Sequence, residues 1–460
     1  MSEIRELLRR AAEGYELPAD LPERARRRAA RLRRRRRMTA AFVAISLSVA
    51  TIVGLSTAFR GSFVVPAGTC PRSWAVVQPP ELSGPGGLSS VAVLAPDDAW
   101  AVGPGEEAMN EMSINESSPL AAHWTGTRWR SVSPPAPAVA GTSELVAVDA
   151  ASPDDLWAVG DADSGELNSE GGAIVHVLVE HWDGSAWSIV KAPDLSPSAE
   201  NRLLDVAVAG PNDAWAVGFG SQGNLAVPLI ERWDGSSWRI VSNPDVTGPN
   251  GGAVLNAVAV AGPEDVWAVG DAGGGTLIEH WNGKSWQVVS SPSVGSFPDE
   301  SSVLRSVAAL SADDVWAVGN HFSSGGPSSS GGSVSVVPVS TLVEHWDGTS
   351  WTIVDSADVP DQSNYLTSVA AAGPDDVWAV GGHRPTGDVR GSETATLIEH
   401  WDGSSWRIVP SPDQAQRAEL LGVAALSSGE VWMVGAAAAS QTGQGELQGV
   451  KPLIESGDCS

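Results

Sequence analysis

The chain has 460 residues, of which 42% are hydrophobic and 18% charged, and its formal net charge is −27 at pH 7. This acidity argues against nucleic acid as a partner, because the phosphate backbone would be repelled. The charge is distributed unevenly, since the first 60 residues contain 14 Arg against 6 acidic residues. The acidic excess therefore belongs to the rest of the chain, which predicts two parts in different surroundings.

Residues 1–37 form a basic tail with two predicted helical stretches, the second of which runs into a block of arginines. Residues 38–59 contain no charged residue and are long enough for one transmembrane helix. Because the arginines precede this segment, the positive-inside rule predicts a cytoplasmic tail. A cleaved signal peptide is the alternative, but no A-x-A-like cleavage site ends the apolar segment, which favours an uncleaved anchor. After a linker at 60–69, residues 70–460 are expected outside a cell membrane crossed once.

Residues 70–460 are dominated by a repeat, seen most clearly at Asp375–Val409. Each copy contains four short β-type runs and no helical periodicity. We term them strands a to d, and in this copy they are Leu366–Ala371, Asp376–Gly381, Leu397–Trp401 and Trp406–Val409. Asp402-Gly403 lies between the last two runs and predicts a hairpin turn.

Seven copies recur at intervals of about 50–60 residues, a period typical of propeller repeats. Strand b carries a tryptophan in every copy: Trp100, Trp157, Trp215, Trp267, Trp316, Trp378 and Trp432. The last copy stops after strand c, and Ser73–Val77 matches the missing strand d. Joining the two ends would close the ring and remove its open edges. The predicted fold is therefore all-β, a seven-bladed β-propeller of four-stranded blades closed by an N-terminal strand d.

The two cysteines, Cys70 and Cys459, flank the two ends that would meet at this seam. A disulfide between them would replace the covalent turn that the last blade lacks, and on the chain-entropy account would contribute about 5 kcal/mol. Such a bond implies an oxidising compartment. Two free thiols at the chain ends are the alternative.

The repeat resembles the kelch type of propeller in Gly381 after strand b, Trp401-Asp402 after strand c and Trp406 at the start of strand d. It is also similar to WD40 repeats in the Trp-Asp pair, although their Gly-His signature is not repeated. Kelch units usually have a glycine pair and a tyrosine, whereas here only Gly381-Gly382 forms a pair and tryptophan replaces tyrosine. The resemblance implies the architecture rather than an activity, because propellers include both enzymes and binding scaffolds.

Kelch-like propellers include galactose oxidase, whose copper site requires two Tyr, two His and a Cys. The repeat region has one tyrosine, Tyr365, so this activity is not expected. Histidines recur in strand c, but one per blade is too far from the next to share an ion. No metal site and no cofactor are therefore predicted, and the repeated histidines and acids are interpreted as structural.

The candidate ligand site rests on polar residues that do not repeat. The b–c and d–a connections are long and variable and should emerge on one face, whereas the a–b and c–d turns are short. Four polar residues of strand a break the small-residue pattern. Three of them lie at the start of the strand on that face, and the fourth, Asp149, lies directly after the repeated valine; the four are Asp149, Asp205, Asn256 and Arg305. They are predicted to converge on a small ligand at the channel mouth. The alternative is a structural Asp–Arg contact that plugs the channel.

The favoured functional hypothesis is a membrane-anchored extracytoplasmic propeller, monomeric, that binds a protein or an envelope polymer without catalysis. An extracytoplasmic enzyme acting on glycans at the channel is one alternative. A transmembrane signalling receptor is another, and it would depend on residues 1–37.

Overall fold

The structure is a computed structural model, and it describes residues 73–81, 86–104, 118–138, 141–169, 171–246, 251–292, 294, 300–323, 339–386, 394–412, 417–441 and 447–458. The predicted tail, transmembrane segment and linker (1–69), together with Cys70 and Cys459, lie outside these residues. Within the described ranges, no helix is long and apolar enough to cross a membrane.

The described residues form 28 strands in seven antiparallel sheets of four. Blades 1 to 3 contain, in the order a to d, β2 (Ser90–Ala95), β3 (Asp98–Gly103), β4 (Leu120–Trp124) and β5 (Trp129–Ser131); β6 (Ser143–Ser152), β7 (Asp155–Leu167), β8 (Ala173–Trp182) and β9 (Trp187–Ile189); and β10 (Asn201–Gly210), β11 (Asp213–Gln222), β12 (Leu225–Trp233) and β13 (Trp238–Ile240).

Blades 4 to 6 contain β14 (Ala253–Gly262), β15 (Asp265–Ala272), β16 (Gly275–Trp281) and β17 (Trp286–Val288); β18 (Glu300–Ser311), β19 (Asp314–Ser323), β20 (Val339–Trp346) and β21 (Trp351–Ile353); and β22 (Gln362–Gly373), β23 (Asp376–Pro385), β24 (Ala395–Trp401) and β25 (Trp406–Ile408). Blade 7 contains β26 (Ala418–Ala425), β27 (Glu430–Gln441), β28 (Leu447–Asp458) and, as its strand d, β1 (Ser73–Val76).

The predicted closure of the ring is confirmed. The N-terminal β1 pairs antiparallel with β28, so that Ser73 lies opposite Asp458 and Val76 opposite Glu455. The backbone N–H of Val77 donates to the carbonyl of Ile454 at 2.8 Å. The order β1-β28-β27-β26 completes a seventh blade from both ends of the chain. The protein is a seven-bladed β-propeller of four-stranded blades.

The hydrophobic cores lie between neighbouring blades. Trp215 on strand b of blade 3 is completely buried, and its ring centroid lies 5.1 Å from that of Trp281 and 5.4 Å from that of Trp286, both in blade 4. One cluster of this kind joins blade 7 to blade 1 and includes Val77, next to the closing strand. Each blade thus contributes half of two cores, and the propeller is stabilised by pairs of blades rather than by single sheets.

The structure corrects the predicted limits of strands a and b. The leucine predicted to open strand a lies inside the strand in six blades, and the glycine predicted to end strand b is followed by further paired residues, as after Gly381. A β-bulge follows the leucine in the same six blades, as between Leu366 and Ser368. Glycine is needed at 381 because a Cβ there would collide with the carbonyl oxygen of Tyr365.

The predicted Asp-Gly hairpins between strands c and d are confirmed. Gly403 has φ of +82°, a region that favours glycine. Asp402 precedes it, and its Oδ1 accepts hydrogen bonds from the N–H groups of Ser404 and Ser405 at 3.0 Å and from the Ser404 hydroxyl at 2.6 Å. These bonds, the hydroxyl first, lower the pKa of Asp402 to about 2.

Candidate functional site

The repeated histidines are used to hold strands b and c together. In blade 4, Nε2 of His280 lies 2.8 Å from Oδ1 of Asp265, and the imidazole stacks on Trp267 with ring centroids 4.1 Å apart. The same arrangement occurs at His123, His181, His345 and His400. In blade 3, Arg232 replaces histidine and binds Asp213 through two nitrogens, at 2.7 and 2.9 Å. The structural interpretation of these residues is confirmed by their contacts.

A second repeated set consists of buried glutamates in strand c, and here the blades differ. The hydroxyls of Ser291, Ser356 and Ser411, each five residues after the tryptophan of strand d, donate to the glutamate of the following blade. Those glutamates are Glu344, Glu399 and Glu455, and none of them is exposed to solvent. The repeated acid is therefore a tie between one blade's d–a connection and the next blade's strand c.

Two blades keep the acid but lack the donor. Pro134 and Ala192 occupy the serine position before Glu180 and Glu231, and both glutamates have 0% exposure. Neither carboxyl group has a hydrogen-bond partner among the described residues. Burial raises the pKa of both glutamates to about 8, which makes their neutral form the main one at pH 7.

Asp205, one of the four predicted ligand residues, ties neighbouring blades in the channel wall. Its Oδ2 accepts the N–H of Val258 in blade 4 at 2.9 Å, and its Oδ1 accepts the N–H of Val206 at 2.9 Å. In other blades, the hydroxyls of Ser90, Ser306 and Ser368 accept the equivalent backbone N–H of the next blade. Asp205 therefore occupies a recurrent structural position.

Asp149 acts in a similar way one blade earlier. Its Oδ2 accepts the N–H of Val208 in blade 3 at 2.7 Å. Burial raises the pKa of Asp149 to about 6 and that of Asp205 to about 7, and the negative charge of Asp149 adds to the second effect. The structure thus brings these two carboxyl groups close enough to interact.

Substitution of Asp205 tests this role. Asp205→Ala should destabilise the propeller by about 1–3 kcal/mol, because two backbone N–H groups lose their acceptor. Asp205→Ser should cost less, since the serine hydroxyl can reach Val258 as Ser306 reaches Val369. Urea unfolding of both variants measures the difference. Equal stability of Asp205→Ala and the parent protein would contradict the assignment, and so would an Asp205→Ser variant as unstable as the alanine variant.

Asn256 and Arg305 are the bulged residues of their blades, directly after the leucine of strand a. Nδ2 of Asn256 donates to the carbonyl of Leu304 in the next blade at 2.8 Å, as the hydroxyl of Thr367 donates to Leu420. Arg305 makes no such tie, and its Nε donates to Oδ1 of Asn320 in its own blade at 2.9 Å. Bulges redirect side chains, so Asn256 and Arg305 are aimed differently from their neighbours along strand a.

Asp205 and Arg305, the predicted structural plug, are not joined by any hydrogen bond or ion pair that the described residues show. Burial lowers the pKa of Arg305, and the negative charges of the nearby Asp271 and Glu419 oppose this effect. The hydroxyl of Tyr365 donates to Glu419 at 2.9 Å. The four predicted residues therefore form two pairs, Asp149 with Asp205 in the channel wall and Asn256 with Arg305 beside Asp271.

A second charged group lies at the same end of blades 2 and 3. Arg202 binds Asp161 at 2.7 Å, Glu200 at 2.9 Å and Glu144 at 3.5 Å. Burial by itself would lower the pKa of Arg202, but these carboxylates raise it, and the guanidinium stays charged. Among the described residues, no group of three or more His, Cys, Asp or Glu is arranged to hold a metal ion.

Several mouth residues were not predicted from the sequence. Glu144, Arg202, Tyr365 and Glu419 all precede the leucine of strand a, while Asp161 and Asp271 follow the glycine of strand b. These two positions pair directly, as Glu144 does with Asp161. The available signal was that non-repeating charges accumulate at two fixed positions beside a repeated Leu and a repeated Gly.

The strand order and the ring define the chain as a β-propeller repeat protein. No family model matches the chain, and no curated protein matches it. The kelch resemblance therefore remains a prediction.

Similar solved structures include YCF48 from Cyanidioschyzon merolae, 16% identical over 84% of this chain and 98% of that one, with a TM-score of 0.45. An ulvan lyase of polysaccharide lyase family PL25 is 10% identical over 80% of this chain and 94% of its own, with a TM-score of 0.49. The lectin SapL1 in complex with alpha methyl fucoside is 12% identical over 72% and 97%, with a TM-score of 0.40. At these identities and scores, the similarities carry no argument about activity.

Proposed function

We propose that the protein is a membrane-anchored, extracytoplasmic propeller that binds a protein or an envelope polymer at the channel mouth, without catalysis. The observation that carries the proposal is that the repeated and the non-repeated polar residues have different roles. The polar groups that repeat from blade to blade mostly tie strands or blades together, as His280 and Ser291 do. The charged groups that do not repeat collect at one end of the inner strands, around Arg202 and Arg305.

The arrangement of the connections supports the same face as the recognition surface. The a–b and c–d turns are short and nearly constant on the opposite face. The mouth lies where the b–c and d–a connections begin and end, and variable loops on a rigid scaffold are where binding residues concentrate.

Two features outside the described residues belong to this proposal. The apolar segment 38–59 with the arginines before it supports the anchor and a cytoplasmic tail. The pairing of Ser73 with Asp458 leaves Cys70 and Cys459 just beyond the same end of the closing strands, which supports a disulfide. Release of the protein from membranes into the soluble fraction by alkaline carbonate would contradict the anchor. Free thiols at both positions in non-reducing peptide maps would contradict the disulfide.

Binding by the variable face can be tested with matched variants of the full chain. Leu225 is 46% exposed at a b–c connection, whereas Lys284 is exposed in a c–d turn on the opposite face. Arg384 lies near the end of strand b in blade 6, where its positive charge acts on Tyr365. Leu225→Lys combined with Arg384→Glu should abolish specific cross-linking of an envelope component, and Lys284→Glu should leave it unchanged. Equal cross-linking by both variants, or no component cross-linked by the parent protein, would reject the proposal.

One observation favours the alternative of an enzyme that acts on glycans. Asp149 and Asp205 are neighbouring carboxyl groups with pKa values raised to about 6 and 7, a range suited to general acid–base chemistry. Both groups, however, also accept backbone hydrogen bonds between blades. Release of glycan fragments by the purified chain, lost in Asp149→Asn with its fold intact, would favour the enzyme over the binding module.

A further inference from the structure

The chain enters the propeller on the face formed by the short a–b and c–d turns, such as 374–375 and 402–405, which we term the plain face. Ser73, the first residue of β1, lies opposite Asp458 of β28, and Asp458 lies opposite Glu430. Glu430 opens β27 directly after the a–b turn of blade 7, and its carbonyl accepts the N–H of Leu426. β1 therefore runs from the plain face toward the variable face, and the chain before Ser73 reaches the propeller from the plain side.

The point of entry lies at the rim of the disc. β1 is the outermost strand of blade 7, whereas the strands a of neighbouring blades contact one another around the channel, as β22 and β26 do. In the proposed function the anchor ends at residue 59, so that residues 60–72, 13 in number, join the membrane to Ser73. A random coil of 13 residues has a root-mean-square end-to-end distance of about 20 Å.

The depth of the disc is larger than this distance. β19 has 10 residues and crosses the disc from the plain to the variable face. At about 3.3 Å per residue it spans about 33 Å. The channel mouth would face the bilayer only if the connection ran along this whole depth of the rim. With the plain face toward the bilayer no such stretch is needed, so a connection of 13 residues favours that orientation.

The plain face shows the same chemistry in nearly every blade. The residue directly before strand b is exposed and is an acid in five blades and an amide in one: Asp97, Asp154, Asn212, Glu264, Asp313 and Asp375. Exposed carboxylates repel anionic headgroups, and the charges that differ between blades lie at the other end of the strands, around Arg202 and Arg305. A membrane below the plain face therefore covers none of the residues that could distinguish one partner from another.

We infer that the propeller stands with its plain face toward the membrane and its channel mouth directed away from it. This inference rests on the proposed anchored binding function and narrows its partner. The partner is an envelope polymer or a protein part that lies beyond the propeller, at least about 30 Å from the bilayer surface. Lipid headgroups and proteins embedded in the same membrane are out of reach of the mouth.

Energy transfer to the membrane tests the orientation with the full chain in liposomes. A donor dye is attached to an azide-bearing amino acid at position 284 or 224, and the acceptor dye is carried by lipid headgroups. Lys284 is exposed in a c–d turn on the plain face, and Asn224 is exposed in a b–c connection on the variable face. Energy transfer from position 284 should exceed that from position 224 by about twofold or more, because the two differ in height by about the length of one strand.

The control lengthens the connection. An insertion of 20 Gly and Ser residues after Arg60 raises the root-mean-square reach to about 30 Å, which is close to the depth of the disc, and should narrow the difference between the two positions. Equal transfer from both positions, greater transfer from position 224, or a difference that the insertion leaves unchanged would overturn the inference.

Failure of the orientation and failure of the proposed function give different results. A chain that does not float with the liposomes would refute the anchor, and the inference with it. A chain that floats and is cross-linked through its variable face, but shows equal transfer from both positions, would refute the orientation alone.

Discussion

Replacement of Glu180 and Glu231 by glutamine is expected to stabilise the propeller at pH 8 to 9 and to change little at pH 5. Both carboxyl groups are fully buried without a partner, and their pKa values are raised from 4.5 to about 8. Between pH 4.5 and about 8, each of these glutamates is mainly protonated in the folded protein and mainly ionised in the unfolded chain. The folded state therefore binds more protons in this range. The free energy of unfolding therefore falls as pH rises from about 4.5 to 8, by at most about 5 kcal/mol per glutamate, and then levels off.

Chemical unfolding of the parent and the double variant across pH 4 to 9 measures this effect. Glu344→Gln is the matched control, because the Ser291 hydroxyl already donates to Glu344 at 2.7 Å. Glu344→Gln should reduce the decline of the free energy of unfolding with pH by less than the double variant does. Ala192→Ser would supply the missing donor to Glu231 and should stabilise the protein more at pH 8 than at pH 5. A parent protein whose stability does not decline between pH 5 and 8 would contradict the assignment of buried, unpaired acids.

Deletion of residues 1–77 is expected to cost about 4 kcal/mol or more and to make the protein aggregate. β1 and β28 share four residue pairs, and backbone hydrogen bonds contribute about 1 kcal/mol each. The deletion also removes Val77 from the cluster that joins blades 7 and 1. It leaves β28 as an open edge, which can pair with another chain.

Deletion of residues 1–69 is the control, since it removes the tail and the apolar segment but keeps β1. Size-exclusion chromatography and thermal unfolding of both deletions in the same buffer make the comparison. Two monomeric proteins with the same unfolding midpoint would show that β1 is dispensable for closure.

The sequence predicted the number of blades, the closing strand and the structural role of the histidines because each depends on residues that repeat. A position repeated seven times, such as Trp378, reports a requirement of the fold. The bulges could not be predicted, because an extra residue between Leu366 and Ser368 changes no residue type in the pattern. The bulge nevertheless decides where the side chain of Arg305 lies.

The candidate site was predicted only in part for a related reason. Asp149, Asp205 and Asn256 were recognised as exceptions to a small-residue pattern, but the pattern carries no information on their acceptors and donors in the next blade. Arg202 and Tyr365 were missed because the residue type directly before the leucine follows no common pattern among the copies. Contacts between blades join residues that are distant in the sequence, as Arg202 and Asp161 are, and a single sequence does not reveal which of these pairs meet.

The pairing of β1 with β28 has a consequence for how the chain is made. The ribosome delivers the closing strand first and its partner last, so β1 stays unpaired during synthesis of all the blades between them. Loop closure over this distance is a modest entropic cost, since it grows only with the logarithm of chain length. The main effect is therefore a long wait before β1 can pair with β28, and not a large free-energy cost of closing the ring. Until β28 is made, the edges of β1 stay open, and other β strands can pair with them.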